Sequence, residues 1–178
     1  MFEKALPLVL KFEGGYVNHP LDKGGATNKG VTQKTYDSYR TLSKLPLADV
    51  KNITSDEVTK IYLRFWKGAK CDRIAPTHPS TAFVHFDCAI NSGPSRAAKI
   101  LQKSLGVASV DGIIGSITLG AIAACDDSKL SAIYLANRDA FYNAIVKRNP
   151  SQKVFLKGWL KRTNHIRVTL DEWARGSK

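Results

Sequence analysis

The sequence predicts a mainly α fold that carries one small β-hairpin lobe near its N-terminus. Apolar residues recur at helical spacing along most of the 178 residues, which predicts about eight helices. One proline and several glycines break that spacing between residues 16 and 32, as short strands and tight turns require. Apolar residues make up 43% of the chain, enough to bury a core without a metal or a disulfide.

The first helix is predicted to start near residue 2 and to end at Glu13. Its apolar residues keep helical spacing as far as Phe12, and Gly14 and Gly15 stop the pattern. Glu13 is therefore expected at a helix C-terminus, with the hairpin lobe following directly after it.

The next helices are marked by their capping residues. Thr32 is expected to cap a helix that reaches about residue 42, and Thr54 to Glu57 form a capping box for another. The segment TAFVHFDCAIN, residues 81–91, is mostly apolar and is predicted to be a central helix. Further helical patterns lie at about 95–105, 116–124, 128–148, 151–162 and 163–174.

The best internal boundary is the NSGP segment at residues 91–94. We expect a catalytic lobe over residues 1–92 and a helical lobe over residues 93–178. Because NSGP is too short to act as a flexible linker, the two lobes are expected to pack together as one compact unit.

The chain is strongly basic, with a net charge of +12 from 27 basic and 15 acidic residues. Such a charge concentrates polyanions, and nucleic acid, an anionic membrane surface and a bacterial cell wall all qualify. The basic residues are dispersed with no run of five, so a dedicated nucleic-acid arm is not indicated.

Neither a membrane span, a signal peptide nor a metal site is expected. The apolar stretches are shorter than the roughly 18 to 20 residues that a bilayer demands, and the acidic Glu3 argues against a signal peptide, which suggests synthesis in the cytosol. Cys71, Cys88 and Cys125 are odd in number and lack CxxC spacing, so they are interpreted as free buried thiols.

The candidate catalytic residues are Glu13, Asp22 and Thr27. A carboxylic acid serves as a general acid near neutrality when burial disfavours its ionised form, and a helix C-terminus acts in the same direction. Gly14 and Gly15 are expected to let the backbone turn sharply beside Glu13. A hairpin could return Asp22 and Thr27 towards Glu13, giving the two-carboxyl arrangement of glycoside hydrolysis, either retaining or inverting.

Other interpretations of these three residues stay open. Glu13 alone is equally consistent with a solvated carboxylate at a helix end. Asp22 before Lys-Gly-Gly is also ordinary turn chemistry, and Thr27 also suits a purely structural role.

Seven further residues are candidates for substrate binding. Three lie in the hairpin lobe, where they either contact sugar groups or pack locally: Tyr16, Asn18 and Asn28. Three share the central helix, where they either line a cleft floor or hydrogen-bond within the core: His85, Asp87 and Asn91. Tyr142 is a candidate for contact with a polymer surface.

The stretch FEGGYVNHPLDKGGATNKGVT resembles the N-terminal signature of glycoside hydrolase family 108, the N-acetylmuramidases of phage endolysins and of bacterial secretion. The glutamate of the family's EGGY segment is its catalytic acid, which places that role on Glu13. The segments FDCAINSG, LQKSLGVASVDGIIGSITLGAI, FYNAI and FLKGWLKR resemble the peptidoglycan-binding region that follows. The resemblance covers nearly the whole chain and implies a lysozyme-like fold.

The spacing of Glu13, Asp22 and Thr27 is also similar to the Glu-Asp-Thr triad of phage-type lysozymes. The threonine comes one position earlier here, so Asn28 is an alternative for holding the water. The DG-x-x-G-x-x-T pattern at Asp111 resembles a turn common in peptidoglycan-binding modules, with Ser116 as a helix cap.

The resemblance implies a monomeric endolysin that cleaves the β-1,4 bond from N-acetylmuramic acid to N-acetylglucosamine. Peptidoglycan is the implied partner, with the anionic outer-membrane surface as a second one, and no cofactor or metal is implied. Such an enzyme is made in the host cytoplasm and acts on the wall in the periplasm after holin-type release. A lytic transglycosylase, a non-catalytic wall-binding protein and a basic nucleic-acid protein are the alternatives.

Overall fold

The computed structural model describes residues 1–18 and 25–176, and it is mainly helical with one antiparallel hairpin near the N-terminus, as predicted. The chain forms two compact packing units, residues 1–66 and the residues from 67 onward. The helices are α1 Phe2–Leu10, α2 Gln33–Leu42, α3 Ser55–Gly68, α4 Cys71–Ile74, α5 Pro79–Ser92, α6 Pro94–Leu105, α7 Ser116–Ala123, α8 Asp127–Arg148 and α9 Lys153–Gly176. The strands are β1 Thr27–Asn28 and β2 Val31–Thr32, and short 3₁₀ turns lie at Val50–Asn52 and Pro150–Gln152.

The hairpin confirms the predicted β element. Strands β1 and β2 pair antiparallel, with Thr27 opposite Thr32 and Asn28 opposite Val31. On its other side, β1 forms an isolated bridge in which the backbones of Thr27 and Val17 exchange two hydrogen bonds of 2.8 Å. Within the part of the chain that the structure describes, these are the β pairings recorded.

The predicted caps of α2 and α3 are confirmed. Thr32 Oγ1 accepts a hydrogen bond from the backbone N–H of Thr35 at 3.2 Å. In the capping box of α3, Thr54 Oγ1 accepts from the Glu57 N–H at 3.2 Å and Glu57 Oε2 accepts from the Thr54 N–H at 3.0 Å. Burial opposes the charged form of Glu57, but hydrogen bonds from Thr54 and Tyr36 outweigh it and lower the pKa of this carboxyl.

The core of the first unit is formed by α1, α3 and the hairpin. The apolar residues Phe2, Ala5, Leu6 and Val9 of α1 are buried, as are Val58, Ile61 and Tyr62 of α3 and Val31 of β2. At the end of α3, Phe65 is partly exposed, whereas Trp66 is buried against Phe2, with ring centroids 5.8 Å apart. These contacts fix α1, which carries Glu13 just beyond its end.

The second unit is built around α5, as the apolar segment 81–91 predicts. Every residue of α5 from Thr81 to Ala89 is buried, and the helix packs against α4, α6 and α8. Gly93, with φ +85°, ends α5 and directly precedes α6. The predicted division of the chain at residue 92 into functional lobes stays a prediction.

Three expectations about the second unit are wrong. Residues 153–176 form the single helix α9 instead of two helices that meet at Arg162 and Thr163. No glycine or proline occurs from Trp159 to Arg175, and the side chains of Arg162 and Thr163 are both buried. Ser116 is the first residue of α7, which Gly115 caps. Cys71 and Cys88 are buried free thiols, but Cys125 is exposed.

Within residues 1–18 and 25–176, no helix has the combination of length and apolar character needed to cross a bilayer.

Burial of His85 gives unfolding a predictable pH dependence. Its Nε2 lies 3.0 Å from the Ala69 carbonyl and its Nδ1 lies 2.9 Å from the Tyr134 hydroxyl. Complete burial lowers the pKa of His85 from 6.5 to about 4. Between pH 6.5 and pH 4 the unfolded chain binds one proton more than the folded chain. The free energy of unfolding therefore decreases as pH falls, by about 3 kcal/mol over the whole interval.

We expect the free energy of unfolding of the wild type to decrease more steeply between pH 6.5 and pH 4 than that of His85→Gln. Urea denaturation at several pH values measures this difference, because the glutamine variant cannot take up the proton. Parallel pH curves for the two proteins would show that His85 does not titrate in this range.

Candidate active site

The hairpin turn places a glycine against the predicted catalytic acid. The turn consists of Lys29 and Gly30, both with positive φ, at +50° and +75°, as a two-residue type I′ connection requires. Tyr62 of α3 fixes this turn, because its hydroxyl donates a 2.9 Å hydrogen bond to the carbonyl of Lys29. The turn is thereby tied to the buried face of α3.

The carboxyl of Glu13 lies directly beside Gly30. A Cβ atom added to Gly30 would lie 2.9 Å from Glu13 Oε2 and 3.0 Å from Glu13 Cγ, and closer still to the Tyr62 hydroxyl. Real Cβ atoms essentially never approach other heavy atoms so closely, so any residue other than glycine would force Tyr62 or Glu13 to shift. Three elements therefore meet at this carboxyl: the end of α1, the hairpin turn and α3.

Glu13 lies three residues beyond the last residue of α1, where its backbone N–H still donates to the Leu10 carbonyl at 3.1 Å. The predicted helix is thus three residues too long, and Glu13 lies in the turn that follows α1. The side chain is half-buried. It faces a cavity of about 380 Å³, lined by Leu10, Glu13, Lys29, Ser55, Val58 and Thr59.

This arrangement suits proton transfer to or from a bound ligand. The carboxyl borders open space on one side and packed protein on the other, so a ligand can reach it while its backbone position is held. Of the described residues that line the cavity, Glu13 is the one carboxylate. Within residues 1–18 and 25–176, no three His, Cys, Asp or Glu side chains are placed to hold a metal ion.

The glycines that matter are different from those expected. A Cβ on Gly14 or on Gly15 would meet no atom within 4 Å, and neither residue has positive φ. The chain does bend at Glu13 and at Gly15, as expected, but glycine is sterically required at Gly30 and not at Gly14 or Gly15.

We expect Gly30→Ala to lower any catalytic activity that depends on Glu13 at least about tenfold, because the new methyl group displaces Glu13 or Tyr62. The positive φ adds about 1 kcal/mol of backbone strain. Gly25→Ala is a matched control, since Gly25 has φ +73° but an added Cβ there meets nothing within 4 Å. Equal activity losses in the two variants, measured at equal folded protein, would contradict the steric explanation.

The other predicted residues of the hairpin region have different surroundings. The Thr27 hydroxyl donates to the Gly25 carbonyl at 3.5 Å, and Thr27 is not among the residues lining the Glu13 cavity. Asn28 is buried, and its amide donates to the carbonyls of Val50 and Lys51 at 3.2 and 3.1 Å, which ties the hairpin to the 3₁₀ turn.

Two predicted sugar-binding residues are open to solvent. Tyr16 is 39% exposed, with the Lys51 ammonium 5.7 Å from the centre of its ring. Asn18 is also exposed. Both are therefore accessible to a ligand, and their roles stay predictions. Asp22 lies outside the described residues, so its predicted role also stays a prediction.

Asp87, Asn91 and Tyr142 are brought together in the second unit, in a buried network of ion pairs and hydrogen bonds. Asp87 Oδ2 lies 2.7 Å from Arg138 Nη2, and Asp87 Oδ1 accepts a 2.8 Å hydrogen bond from Arg162 Nε. Arg138 Nε donates to the Tyr142 hydroxyl at 2.7 Å, and that hydroxyl donates to Asn91 Oδ1 at 2.6 Å. Asp87, Arg138 and Arg162 are defined here as the buried triad.

These contacts favour the core alternative for the predicted residues of the central helix. Asp87 is 1% exposed and ion-paired with both arginines, and both ring nitrogens of the fully buried His85 have partners inside the protein. Burial opposes the charge of Arg138, but the attraction of Asp87 outweighs it and raises the pKa of the guanidinium. Arg138 therefore keeps its positive charge within the core.

Sequence reasoning missed Lys29, Gly30, Ser55, Thr59 and Tyr62. The dipeptide Lys-Gly between two short β segments is a hairpin signal that could have found the turn. The spacing of Ser55, Thr59 and Tyr62 places them along one side of α3, but which side faces Glu13 depends on tertiary packing.

Comparisons with known proteins give two successive family matches along the chain. The profile of the family described as Glycosyl hydrolase 108 matches residues 6–93, and the profile described as Predicted Peptidoglycan domain matches residues 96–164. The solved structure of Brucella abortus SagA is similar over 94% of this chain and 92% of that chain, with 34% sequence identity and a TM-score of 0.74. No curated protein sequence matches the chain.

Proposed function

Since the chain belongs to the glycosyl hydrolase 108 family, as a glycoside hydrolase that acts on peptidoglycan, we propose that it is an N-acetylmuramidase with Glu13 as its general acid. The bond to be cleaved is the β-1,4 linkage from N-acetylmuramic acid to N-acetylglucosamine. The observation that carries this proposal is the Glu13 carboxyl, which borders an open cavity while Gly30 packs against it.

In the proposed reaction the Glu13 carboxyl donates its proton to the oxygen of the leaving N-acetylglucosamine. The bond from that oxygen to C1 of N-acetylmuramic acid breaks, and positive charge develops on the sugar ring. A water adds to C1 and loses a proton, which returns to Glu13 or to a second base. Asp22 is the proposed group for stabilising the charge or activating the water.

The basic surface is proposed to support this activity by attraction to the anionic wall. A net charge of +12 accelerates encounter with a polyanionic surface, and salt weakens this effect. We also propose, from the endolysin resemblance, action on the wall after holin-type release from the cytoplasm.

Product analysis on purified peptidoglycan tests the proposal. In water enriched in ¹⁸O, we expect muropeptides that end in reducing N-acetylmuramic acid and carry one labelled oxygen at C1. Mass spectrometry after borohydride reduction identifies both the sugar and the label. Reducing N-acetylglucosamine would point to the other β-1,4 bond.

The same experiment separates two other functions. Exclusively anhydro-terminated products without label would show a lytic transglycosylase, in which the sugar's own hydroxyl closes the ring. The single carboxylate among the described lining residues of the cavity is the observation that favours this second candidate. Absence of any product would show a non-catalytic wall-binding protein.

A further inference from the structure

A groove of about 570 Å³ lies between α6 and α8 in the second packing unit. Helix α6 contributes Arg96, Lys99 and Lys103, which are spaced so that they share one face of the helix. Helix α8 contributes Phe141 and, at its C-terminal end, Arg148. We call this feature the α6/α8 groove.

The lining of the groove combines cationic with apolar side chains. The apolar part consists of Ile100, Val110, Ala140, Ala144 and Phe141. Of the described residues that line the groove, four are cationic and none is acidic. Its charge and shape are therefore complementary to a ligand that carries several anionic groups and short apolar parts.

The fold holds these cations in place. The Arg96 guanidinium lies 5.2 Å from the centre of the Phe141 ring, and Arg148 Nε donates a 3.2 Å hydrogen bond to the Ala144 carbonyl. Gly112, with φ +84°, packs so closely on Lys99 that an added Cβ would lie 3.0 Å from Lys99 Cε. A ligand then meets cations whose freedom is already reduced, which lowers the entropy lost on binding.

The turn at Asp111 and Gly112, part of the DG-x-x-G pattern, thus supports one side of the groove. Asp111 is not one of the lining residues, and its carboxylate accepts hydrogen bonds from Gln102 Nε2 at 2.7 Å and from the Ile113 N–H at 2.8 Å. The Asp111 carboxylate therefore has hydrogen-bond donors of its own, one from α6 and one from the turn.

We propose that the α6/α8 groove binds the stem peptide of peptidoglycan through the carboxylates of that peptide. This inference rests on the proposed function, since it takes peptidoglycan as the substrate. Stem peptides alternate small apolar side chains with free carboxylates, whereas the glycan sugars themselves carry no charge once the peptide is attached. A volume of about 570 Å³ is within the range of about 300–1,000 Å³ typical of small-ligand sites.

Calorimetric titration of the full chain with two soluble fragments tests this assignment. One fragment is the disaccharide of N-acetylglucosamine and N-acetylmuramic acid with its tetrapeptide, and the other is the same disaccharide without peptide, with its lactyl carboxyl group blocked as a simple amide. We expect Lys103→Glu with Arg148→Glu to weaken binding of the peptide-bearing fragment at least about tenfold. Binding of the peptide-free fragment should be the same in both proteins.

Lys147→Glu with Lys157→Glu is the matched control. Both lysines are exposed outside the groove, the total change in charge is the same, and Lys147 shares the last turn of α8 with Arg148. We expect this control to stay within about threefold of the wild type, because distant surface charges are screened. An equal loss in the control and in the groove variant would show a general effect of charge and overturn the proposal.

Two other outcomes would also overturn it. Equal wild-type affinity for the two fragments would show that the groove does not recognise the peptide. Groove-dependent binding of inorganic phosphate or lipid A vesicles, without binding of the muropeptide, would assign the groove to phosphate groups. Because neither fragment contains the bond that Glu13 is proposed to break, these results are independent of whether the proposed hydrolysis occurs.

Discussion

Glu13→Gln should reduce the rate of peptidoglycan hydrolysis by at least about 10²-fold, up to about 10⁴-fold, while leaving the fold intact. The amide keeps the size of the side chain but cannot donate the proton that the leaving oxygen needs. Since Gly30 leaves little space around this carboxyl, an isosteric change is the appropriate one. The rate is measured as the release of reducing ends from purified peptidoglycan, with circular dichroism as the check on folding.

Glu3→Gln is the matched control for this experiment. Glu3 lies in the first turn of α1, the helix that precedes Glu13, and its side chain is 86% exposed, with the N-terminal ammonium as its partner at 3.5 Å. We expect Glu3→Gln to keep wild-type activity. A folded Glu13→Gln protein with more than about a tenth of the wild-type rate would remove Glu13 from the role of general acid.

Asp87→Ala should lower the free energy of unfolding by about 3–5 kcal/mol, the largest stability effect that the structure predicts. The substitution leaves the guanidiniums of Arg138 and Arg162 inside the core without their shared carboxylate. Two like charges then remain in a medium of low polarity, where each costs several kcal/mol. Chemical denaturation followed by tryptophan fluorescence measures the loss.

Asp139→Ala provides the control, because Asp139 also joins α8 to α9 but is partly exposed. Its carboxylate pairs with Arg167 at 2.6 Å and accepts from the Thr163 hydroxyl at 2.7 Å. We expect a loss of about 1 kcal/mol or less from the ion pair itself. An Asp87→Ala protein as stable as Asp139→Ala would show that the buried arginines find other partners.

Replacing the whole buried triad is a further test of the same physics. Asp87→Leu with Arg138→Met and Arg162→Leu should be far more stable than Asp87→Ala, because no charge is then left in the core. This comparison separates the cost of stranded charges from the loss of packing.

The features that the sequence predicts well are those fixed by local chemistry. Thr32 and Thr54 were identifiable as caps because each hydroxyl accepts a hydrogen bond from the backbone N–H three residues later. Such a bond needs no contact with the rest of the chain. The hairpin was identifiable because glycine is needed where φ is positive. The central helix was identifiable because its segment has no polar face.

The features that escape prediction depend on contacts between distant segments. Which face of α3 meets Glu13 is decided by packing, so Tyr62 carries no local signal of its place beside the acid. The arginines of the buried triad resemble ordinary surface cations in the sequence, because their acidic partner lies on another helix. The cations of α6 are readable as one face, but their pairing with α8 into a groove is not.

The buried triad also bears on how the long helix α9 opens. Arg162 lies near the middle of Lys153–Gly176 and is held by Asp87 of α5. Trp173 still packs on Phe83 of α5, with ring centroids 5.1 Å apart, and only the residues after it, 174–176, are all exposed. In hydrogen exchange, amides after Trp173 should exchange by local fraying, while those around Arg162 should exchange only when α5, α8 and α9 separate together. Helix α9 is thus one element of secondary structure but two regions of kinetic stability.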